Sequence, residues 1–249
     1  MSLNWRDPGV SKFAMPSLGE MMNLLANSTF GNDLIFHGGD LSPATLLDAY
    51  RSGLFPMPLE NNHLGWFCPT QRGVFLTMAG LGGIRISKSL KKSTTRFSYS
   101  INLAFEDVIT SCANPDRDGS WITPEIKAAY IRLHELGWSH SFEVWKEVGG
   151  RRWLAGGLYG VAIGGLFAGE SMFHNATDAS KAALVALVSK MVEQGGMLID
   201  TQWNTQHLTS LGAVTIPRIE YLELLEEAVS LPLPAVFDRP YQGPIGIEL

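Results

Sequence analysis

The chain has 249 residues, of which 45% are hydrophobic and 17% are charged, and its net charge is -5 at pH 7. These values are typical of a globular protein with one large domain or two modest ones, and the acidic balance argues against general polyanion binding while leaving room for a local basic patch. The sequence has no apolar run of about 18 residues, no signal-peptide layout in its first ten residues and no Cys-x-x-Cys pair, so we expect a cytoplasmic protein with no membrane segment, disulfide framework or zinc site.

The first strong helix signal follows an irregular stretch, residues 1–33, that shows no period. Ser42 is typical of a helix N-cap, Pro43 favours the first helical position, and Gly53 favours a helix end. The sequence therefore predicts a helix between Ser42 and Gly53.

Short elements and a glycine-rich linker complete the first part of the chain. A proline-punctuated loop over residues 55–69 precedes a strand-like run over residues 73–77. The segment 80–83 is typical of a linker, and we place the domain boundary there. The predicted domains span residues 1–82 and 83–249.

Helices are predicted at the start of the second domain. A short basic helix is expected over residues 86–92. Asn102 is the predicted N-cap of a helix with one apolar face, formed by Phe105, Val108, Ile109 and Cys112. Thr123 and Pro124 begin a further helix, which ends at Gly137.

The pattern then changes to strands followed by a crossover helix. Apolar or aromatic runs over residues 139–146, 152–163 and 166–173 are divided by Gly-Gly pairs, the second of them at hairpin spacing. A long amphipathic helix with a 3.6-residue period, carried by Leu184, Leu187, Val188 and Met191, leads into a strand over residues 197–202. These elements predict an α+β fold in which helices pack on a central, mainly antiparallel sheet.

Polar residues on these strands are candidates for chemistry. Asp200 and Gln202 share a face at a strand end, where they can align a nucleophile or simply mark a strand that emerges into solvent. Glu170 lies inside an apolar strand. Because a buried carboxylate is costly unless it is paired or hydrogen-bonded, Glu170 is either functional or part of a structural salt bridge.

Other features have both a structural and a functional interpretation. Lys88, Lys91 and Lys92 share one helix face with Arg96 nearby, and such a run is either a solvated face or a phosphate contact. Trp121, just ahead of a helix cap, either packs on its own helix or stacks on a base. The chain has no phosphate-binding loop of the GxGxxG or Walker type, and its lone histidines lack metal-ligand spacing, so we predict no metal site.

Taken in order, the sequence motifs form a recognisable pattern. They are Gly-Gly-Asp-Leu-Ser-Pro at residues 38–43, Ser-Trp-Ile-Thr at 120–123, Gly-Gly-Leu-Tyr-Gly-Val at 156–161, Gly-Glu-Ser-Met-Phe at 169–173 and Leu-Ile-Asp-Thr-Gln at 198–202. This pattern closely resembles the leucyl/phenylalanyl-tRNA–protein transferase family over residues 34–225, and the last two motifs are its most specific parts.

The resemblance implies a fold and an activity. The fold is a small N-terminal α/β domain followed by an acetyltransferase-like domain, whose mainly antiparallel central sheet is flanked by helices. The activity is transfer of Leu, Phe or Met from aminoacyl-tRNA to the N-terminal Arg or Lys of an acceptor protein, which marks the product for degradation through the N-degron pathway. Because an aminoacyl ester is already activated, we expect no cofactor, ATP or metal, and we expect a monomer.

The resemblance also implies roles for individual residues. Glu170, Asp200 and Gln202 match the reaction centre, with Glu170 contacting either the cationic side chain of the acceptor or the amino group of the donor. The apolar side-chain pocket corresponds to Leu158, Phe167, Ser171, Phe173, Leu187 and Ile199. The tRNA-binding residues correspond to Trp121, Met57, Lys88, Lys91, Lys92 and Arg96. Trp121 matches the aromatic residue that stacks near the terminal adenosine of the tRNA. Met57 departs from the family, which commonly has a tryptophan after the Phe-Pro pair as a further aromatic contact to this adenosine.

Two other functions fit parts of the sequence. A catalytically silent tRNA- or peptide-binding module on the same fold is the alternative, and the presence of all the reaction-centre residues speaks against it. An acetyl-CoA-dependent acetyltransferase needs a pyrophosphate-binding turn of the Gln/Arg-x-x-Gly-x-Gly/Ala type. Residues 175–180 do not provide that turn.

Overall fold

A computed structural model describes residues 5–26, 32–60, 63–77, 83–117, 119–238 and 243–244. In these residues the chain forms a three-stranded and an eight-stranded sheet, with helices packed on both. This arrangement confirms the predicted α+β class. None of the helices within these ranges is long and apolar enough to cross a membrane.

The first elements build the small sheet. They are α1 (Leu18–Ala26), β1 (Leu34–His37), α2 (Pro43–Arg51), β2 (Phe55–Pro58) and β3 (Leu64–Phe67). The strand order is β1-β3-β2, and both pairings are antiparallel.

Helix α2 confirms the prediction between Ser42 and Gly53. The Ser42 side chain accepts a hydrogen bond from the backbone N–H of Thr45, and Pro43 is the first helical residue. Gly53 follows the helix with a φ of 80°, a left-handed conformation that glycine adopts without a Cβ penalty.

Helix α1 corrects the expectation that residues 1–33 are irregular. Its apolar residues follow the i, i+3, i+4, i+7 spacing of a helix face: Leu18, Met21, Met22 and Leu25. Met21 and Leu25 are buried in the core, and α1 contacts the C-terminal helix described below.

The large sheet collects the remaining strands. They are β4 (Gln71–Leu76), β5 (Ser98–Ile101), β6 (Ser139–Val148), β7 (Arg151–Ile163), β8 (Leu166–His174), β9 (Leu198–Gln202), β10 (Val214–Pro217) and β11 (Gly243–Pro244). The strand order is β10-β4-β9-β8-β7-β6-β5-β11, and β8–β9 is the parallel pair in an otherwise antiparallel arrangement. The predicted strands over residues 139–173 are therefore confirmed as β6, β7 and β8. The domain boundary at residue 82 remains a prediction, and β4, which precedes it, pairs within the large sheet.

Helices cover both faces of the large sheet. They are α3 (Lys88–Thr94), α4 (Phe105–Cys112), α5 (Pro124–Glu135), α6 (Ala179–Glu193), α7 (Gln206–Ser210) and α8 (Arg218–Ser230). One core contains the buried side chains of α2, α4, α5 and α8, and the second core contains those of α6. The crossover β8–α6–β9 was predicted from the sequence and is confirmed.

The N-cap predicted for α4 is wrong. The helix has Ala104 at its N-cap, without a side-chain hydrogen bond. Asn102 instead adopts a left-handed φ of 58°, and its amide contacts the His140 ring and the backbone N–H of Ser141. A tertiary contact therefore uses the side chain that the local pattern assigned to the helix.

Candidate active site

A cavity of about 400 Å³ lies where the two parallel strands of the large sheet separate. The pairing of β8 with β9 runs from Leu166–Leu198 to Ala168–Asp200, and both strands continue past the last pair. The gap brings one set of residues from each strand to the same space: Gly169, Glu170, Ser171 and Met172 from β8, and Ile199, Thr201 and Gln202 from β9.

Glu170 reaches this cavity because it occupies a β-bulge. Tyr159 of β7 pairs with Ser171, and Gly160 pairs with Gly169, so Glu170 is the extra residue on β8. Bulges re-aim side chains and are common beside active sites. The bulge is the structural feature that turns this carboxylate away from the regular alternation of the strand.

Buried hydrogen-bond donors surround the Glu170 carboxylate. Its Oε1 accepts from the Tyr50 hydroxyl at 2.6 Å and from the Gln202 Nε2 at 3.0 Å, and its Oε2 accepts from the Tyr130 hydroxyl at 3.0 Å. Burial raises the pKa of Glu170 to about 7, and the two tyrosine hydrogen bonds oppose this rise. Glu170 is therefore held rigidly and titrates close to neutral pH.

Asp200 belongs to a separate buried ion pair. The Arg72 guanidinium donates to Oδ1 at 2.7 Å and to Oδ2 at 2.5 Å, and the Tyr221 hydroxyl donates to Oδ2 at 3.0 Å. The backbone N–H of Gln202 donates to Oδ1 at 2.8 Å. Burial alone lowers the pKa of Arg72, but the Asp200 carboxylate raises it overall, so the Arg72 guanidinium stays charged.

Asp200 thus contacts the backbone of Gln202, and Glu170 contacts its side chain. Gln202 has a φ of 62°, a strained value for a residue other than glycine, and the Asp200 hydrogen bond to its N–H supports this conformation. Its amide nitrogen is committed to Glu170. Among the residues that the structure describes, no donor contacts the Oε1 atom of Gln202, so this acceptor remains for a ligand in the cavity.

The structure brings together most of the predicted apolar pocket. Leu158, Ser171, Leu187 and Ile199 line the cavity, together with residues that the sequence did not assign to it: Met172, Leu184 and Leu208. Phe167 and Phe173 are not in the lining. Phe167 stacks on Phe237 in the core under α6, and Phe173 lies in the core on the other face of the sheet.

The predicted basic surface is exposed and extends toward the cavity. Lys88, Lys91, Lys92 and Arg96 are exposed on or just after α3, and α3 packs against α6. At the start of α6, the hydrogen bond from Lys181 and, more weakly, the charge of Arg96 lower the pKa of Asp178. His207 lines the cavity, and burial followed by the charges of Lys181 and His174 lowers its pKa. Lys181 is thus a positive group between α3 and the cavity rim, where it pairs with Asp178 at 2.9 Å.

The two predicted aromatic-contact positions, Trp121 and Met57, are outside the cavity lining. Both are half-buried and pack against the same core. The Trp121 loop is tied to the cavity wall because Arg117 donates to the Met172 carbonyl at 2.6 Å. In contrast, Trp203 lines the cavity, although the sequence analysis gave it no role. The one feature of the sequence that could have indicated this role is the position of Trp203 directly after Gln202.

Four residues that donate hydrogen bonds to Glu170 or Asp200 were not predicted from the sequence: Tyr50, Arg72, Tyr130 and Tyr221. Each comes from an element far away in the chain, and no local pattern links it to Glu170 or Asp200. The two cysteines are buried, and burial raises the pKa of the Cys112 thiol to about 11, so it is a neutral core group. Within the described ranges, no three His, Cys, Asp or Glu side chains are arranged to hold a metal ion.

Comparison with known proteins gives consistent matches over most of the chain. The model of the leucyl/phenylalanyl-tRNA protein transferase family matches residues 79–226, and the model of that family's N-terminal domain matches residues 39–70. A leucyl/phenylalanyl-tRNA–protein transferase of Shewanella woodyi is 46% identical over 222 residues, 88% of this chain and 90% of the relative. The proteins of the same name from Magnetococcus marinus and Idiomarina loihiensis are 46% and 41% identical, over 81% and 88% of this chain and 86% and 91% of the relatives.

Proposed function

This chain belongs to the leucyl/phenylalanyl-tRNA–protein transferase family and is an aminoacyltransferase, and we propose that it transfers Leu, Phe or Met from tRNA to the N-terminal Arg or Lys of an acceptor protein. The observation that carries this proposal is an apolar cavity that ends at the Gln202–Glu170 pair. Such a cavity suits a substrate with an apolar side chain next to a reactive ester.

The apolar part of the cavity would hold the side chain of the donor amino acid. Its walls are aliphatic and are formed by Leu158, Leu184, Leu187, Ile199 and Leu208. Burial of Leu, Phe or Met there is favourable, whereas a charged side chain would lose its hydration without a partner. The donor ester would then lie at the polar end, beside Gln202.

The reaction joins the acceptor amine to the ester carbonyl carbon. The new C–N bond forms, the C–O bond to the ribose breaks, and the proton lost by the amine goes to the departing ribose oxygen. Gln202 is not a strong base, but its Oε1 can accept a hydrogen bond from the attacking amine and so align it. Alignment of two bound substrates can supply ~7–11 kcal/mol of the barrier reduction.

In this mechanism Glu170 and Asp200 are positioning residues for Gln202. Glu170 accepts from the amide nitrogen and thereby turns Oε1 toward the ligand. Asp200, neutralised by Arg72, holds the backbone of Gln202 in its left-handed conformation. The contacts of both carboxylates with Gln202 favour these roles over direct contact of Glu170 with the acceptor side chain.

The exposed basic residues of α3 would contact the tRNA phosphates. Lys88, Lys91, Lys92 and Arg96 lie on or just after α3, which packs against α6. In the first turn of α6, the charge of Lys181 acts on His207 in the cavity lining. This local positive surface offsets the net charge of -5 of the whole chain. We further propose that the reaction needs no ATP, metal or cofactor, that the protein acts as a cytoplasmic monomer, and that its product is recognised as an N-degron.

The proposal is tested by incubating the protein with labelled Leu-tRNA or Phe-tRNA and with peptides that begin with Arg, Lys or Asp, in the presence of acetyl-CoA as a competing donor. We expect Leu and Phe to appear on the Arg and Lys peptides, and EDTA or the omission of ATP to leave the rate unchanged. Gln202→Ala should lower kcat, whereas the exposed Gln71→Ala should not. Acetyl transfer, or transfer restored after chelation by an added metal, would contradict the proposal.

A further inference from the structure

Trp203 is a large aromatic side chain at the cavity mouth that the mechanism above does not use. Trp203 is one of the residues that line the cavity, and 37% of its surface is exposed. It follows Gln202 directly in the chain, so it lies next to the point at which the donor ester is proposed to bind. A group that extends from the ester toward solvent can therefore reach this residue.

The indole ring is fixed in orientation before any ligand binds. Its Nε1 donates to the Asp33 carboxylate at 2.8 Å. Its ring makes edge-to-face contacts with Phe55 and Phe67, at centroid distances of 5.0 and 5.9 Å. Preorganisation of this kind lowers the entropic cost of binding, because the ring does not have to be ordered by the ligand.

Met57 lies close to the part of the small sheet on which Trp203 packs. Phe55 and Met57 are two residues apart on β2 and so project to the same face of the small sheet. Trp203 packs on Phe55, so its indole lies next to the face that carries Met57. This chain therefore has an aromatic surface at the cavity mouth that comes from the end of β9 rather than from β2.

We propose that Trp203 stacks on the terminal adenine of the aminoacyl-tRNA and supplies the aromatic contact that Met57 cannot make. The inference rests on the proposed function, since the ester beside Gln202 places the ribose and its base at the mouth. Base stacking on an aromatic face is the recurrent mode by which proteins bind unpaired nucleotides.

The charges around Trp203 favour a base over the cationic side chain of the acceptor. The Asp33 carboxylate that contacts the indole also accepts from the backbone N–H of Thr70 at 2.9 Å and lies 4.0 Å from the Arg218 guanidinium. Its charge is thus already balanced, and it offers little attraction to a further cation. A neutral planar base needs no such charge.

The test compares Trp203→Leu and Trp203→Phe with a matched control, Trp153→Leu, which alters a half-buried tryptophan outside the cavity lining. The probes are the stable amide 3′-deoxy-3′-(leucylamino)adenosine and its counterpart without the base, and Kd is measured by calorimetry. We expect Trp203→Leu to weaken binding of the adenine-bearing amide about 5- to 100-fold, the range for loss of one base stack. Trp203→Phe should lose less, and the base-free amide should be unaffected.

Other outcomes would overturn the inference. For Trp203→Leu, they are an equal loss of affinity for the two amides or an unchanged Kd for the adenine-bearing amide. Failure of the wild type to bind the adenine-bearing amide would also overturn it. If Trp203→Leu changed only the KM of the acceptor peptide, the ring would be assigned to the acceptor. If the wild type binds the amide but transfers no amino acid from Leu-tRNA, the proposed function fails while the binding result still decides the role of Trp203. A thermal melt of each variant checks folding, and Trp203→Phe keeps the test valid if Trp203→Leu is unfolded.

Discussion

Replacing Glu170 with Gln should remove a specific pH dependence from the stability of this protein. The pKa of Glu170 is about 7 in the folded chain, against an ordinary value of 4.5, because the carboxyl group is buried. A difference of this size corresponds to about 3 kcal/mol of folding free energy. Glutamine keeps the shape of the side chain but cannot ionise.

The sign of the effect follows from the raised pKa. Below about pH 4.5, Glu170 is protonated in both the folded and the unfolded chain, so its contribution to stability is fully present. Between about pH 4.5 and 7 the unfolded chain ionises first, and stability is lost progressively. Above about pH 7 the folded carboxyl group is also ionised and the loss is complete.

The measurement is urea unfolding of the wild type and of Glu170→Gln at a series of pH values from about 4 to 8.5. All other titrating groups are shared, so the difference in unfolding free energy between the two proteins isolates Glu170. We expect the stability of the wild type relative to the variant to fall by about 3 kcal/mol across this range.

Two results would refute this reasoning. A difference that stays constant with pH would mean that the pKa of Glu170 is not raised. A wild type that gains stability relative to the variant as pH rises would mean that the pKa is lowered. In the first case the surroundings of the carboxylate would balance the penalty of burial, and in the second they would exceed it. Glu170 would then be ionised at neutral pH in both cases.

Three further predictions concern the ion pair, the basic surface and the pocket. Asp200→Asn leaves the buried Arg72 without its counter-charge, so it should lower the free energy of unfolding in urea by about 3–5 kcal/mol. Glu135→Gln, in the exposed pair with Arg132, should lower it by less than about 1 kcal/mol. Equal losses would contradict the structural role of the buried pair. Replacing Lys88, Lys91 and Lys92 with Ala should raise the KM for aminoacyl-tRNA and make the KM less dependent on salt. Lys146→Ala, the control at another exposed lysine, should change neither. An unchanged salt dependence would mean that the three lysines only form a solvated face. Leu187→Trp should lower kcat/KM for Phe-tRNA more than for Leu-tRNA, while Val-tRNA should be a poor donor for the wild type, because an apolar pocket discriminates by ~1–3 kcal/mol per methylene; an unchanged Phe:Leu ratio would place the pocket elsewhere.

The sequence by itself determined the elements whose signals are local. Ser42 with Pro43 and Thr123 with Pro124 define helix starts by a side-chain cap and a fixed φ, and both helices begin where predicted. The Gly-Gly pairs that separate β6, β7 and β8 are also local signals, because a tight turn depends on only a few neighbouring residues. Local signals failed where a distant group competed, as His140 and Ser141 did for Asn102.

The tertiary structure alone decided how the proposed reaction centre is assembled. The sequence indicated that Glu170 needed partners, but the donors come from residues 120 and 40 positions away, Tyr50 and Tyr130. Asp200 likewise pairs with Arg72 across 128 positions. Strand alternation could not show that Phe167 and Phe173 lie outside the cavity lining, because the bulge at Glu170 and the separation of β8 from β9 change which side chains meet the cavity. Contacts between distant segments depend on how the whole chain packs, so residue spacing identifies the reactive groups but not the neighbours that set their pKa and orientation.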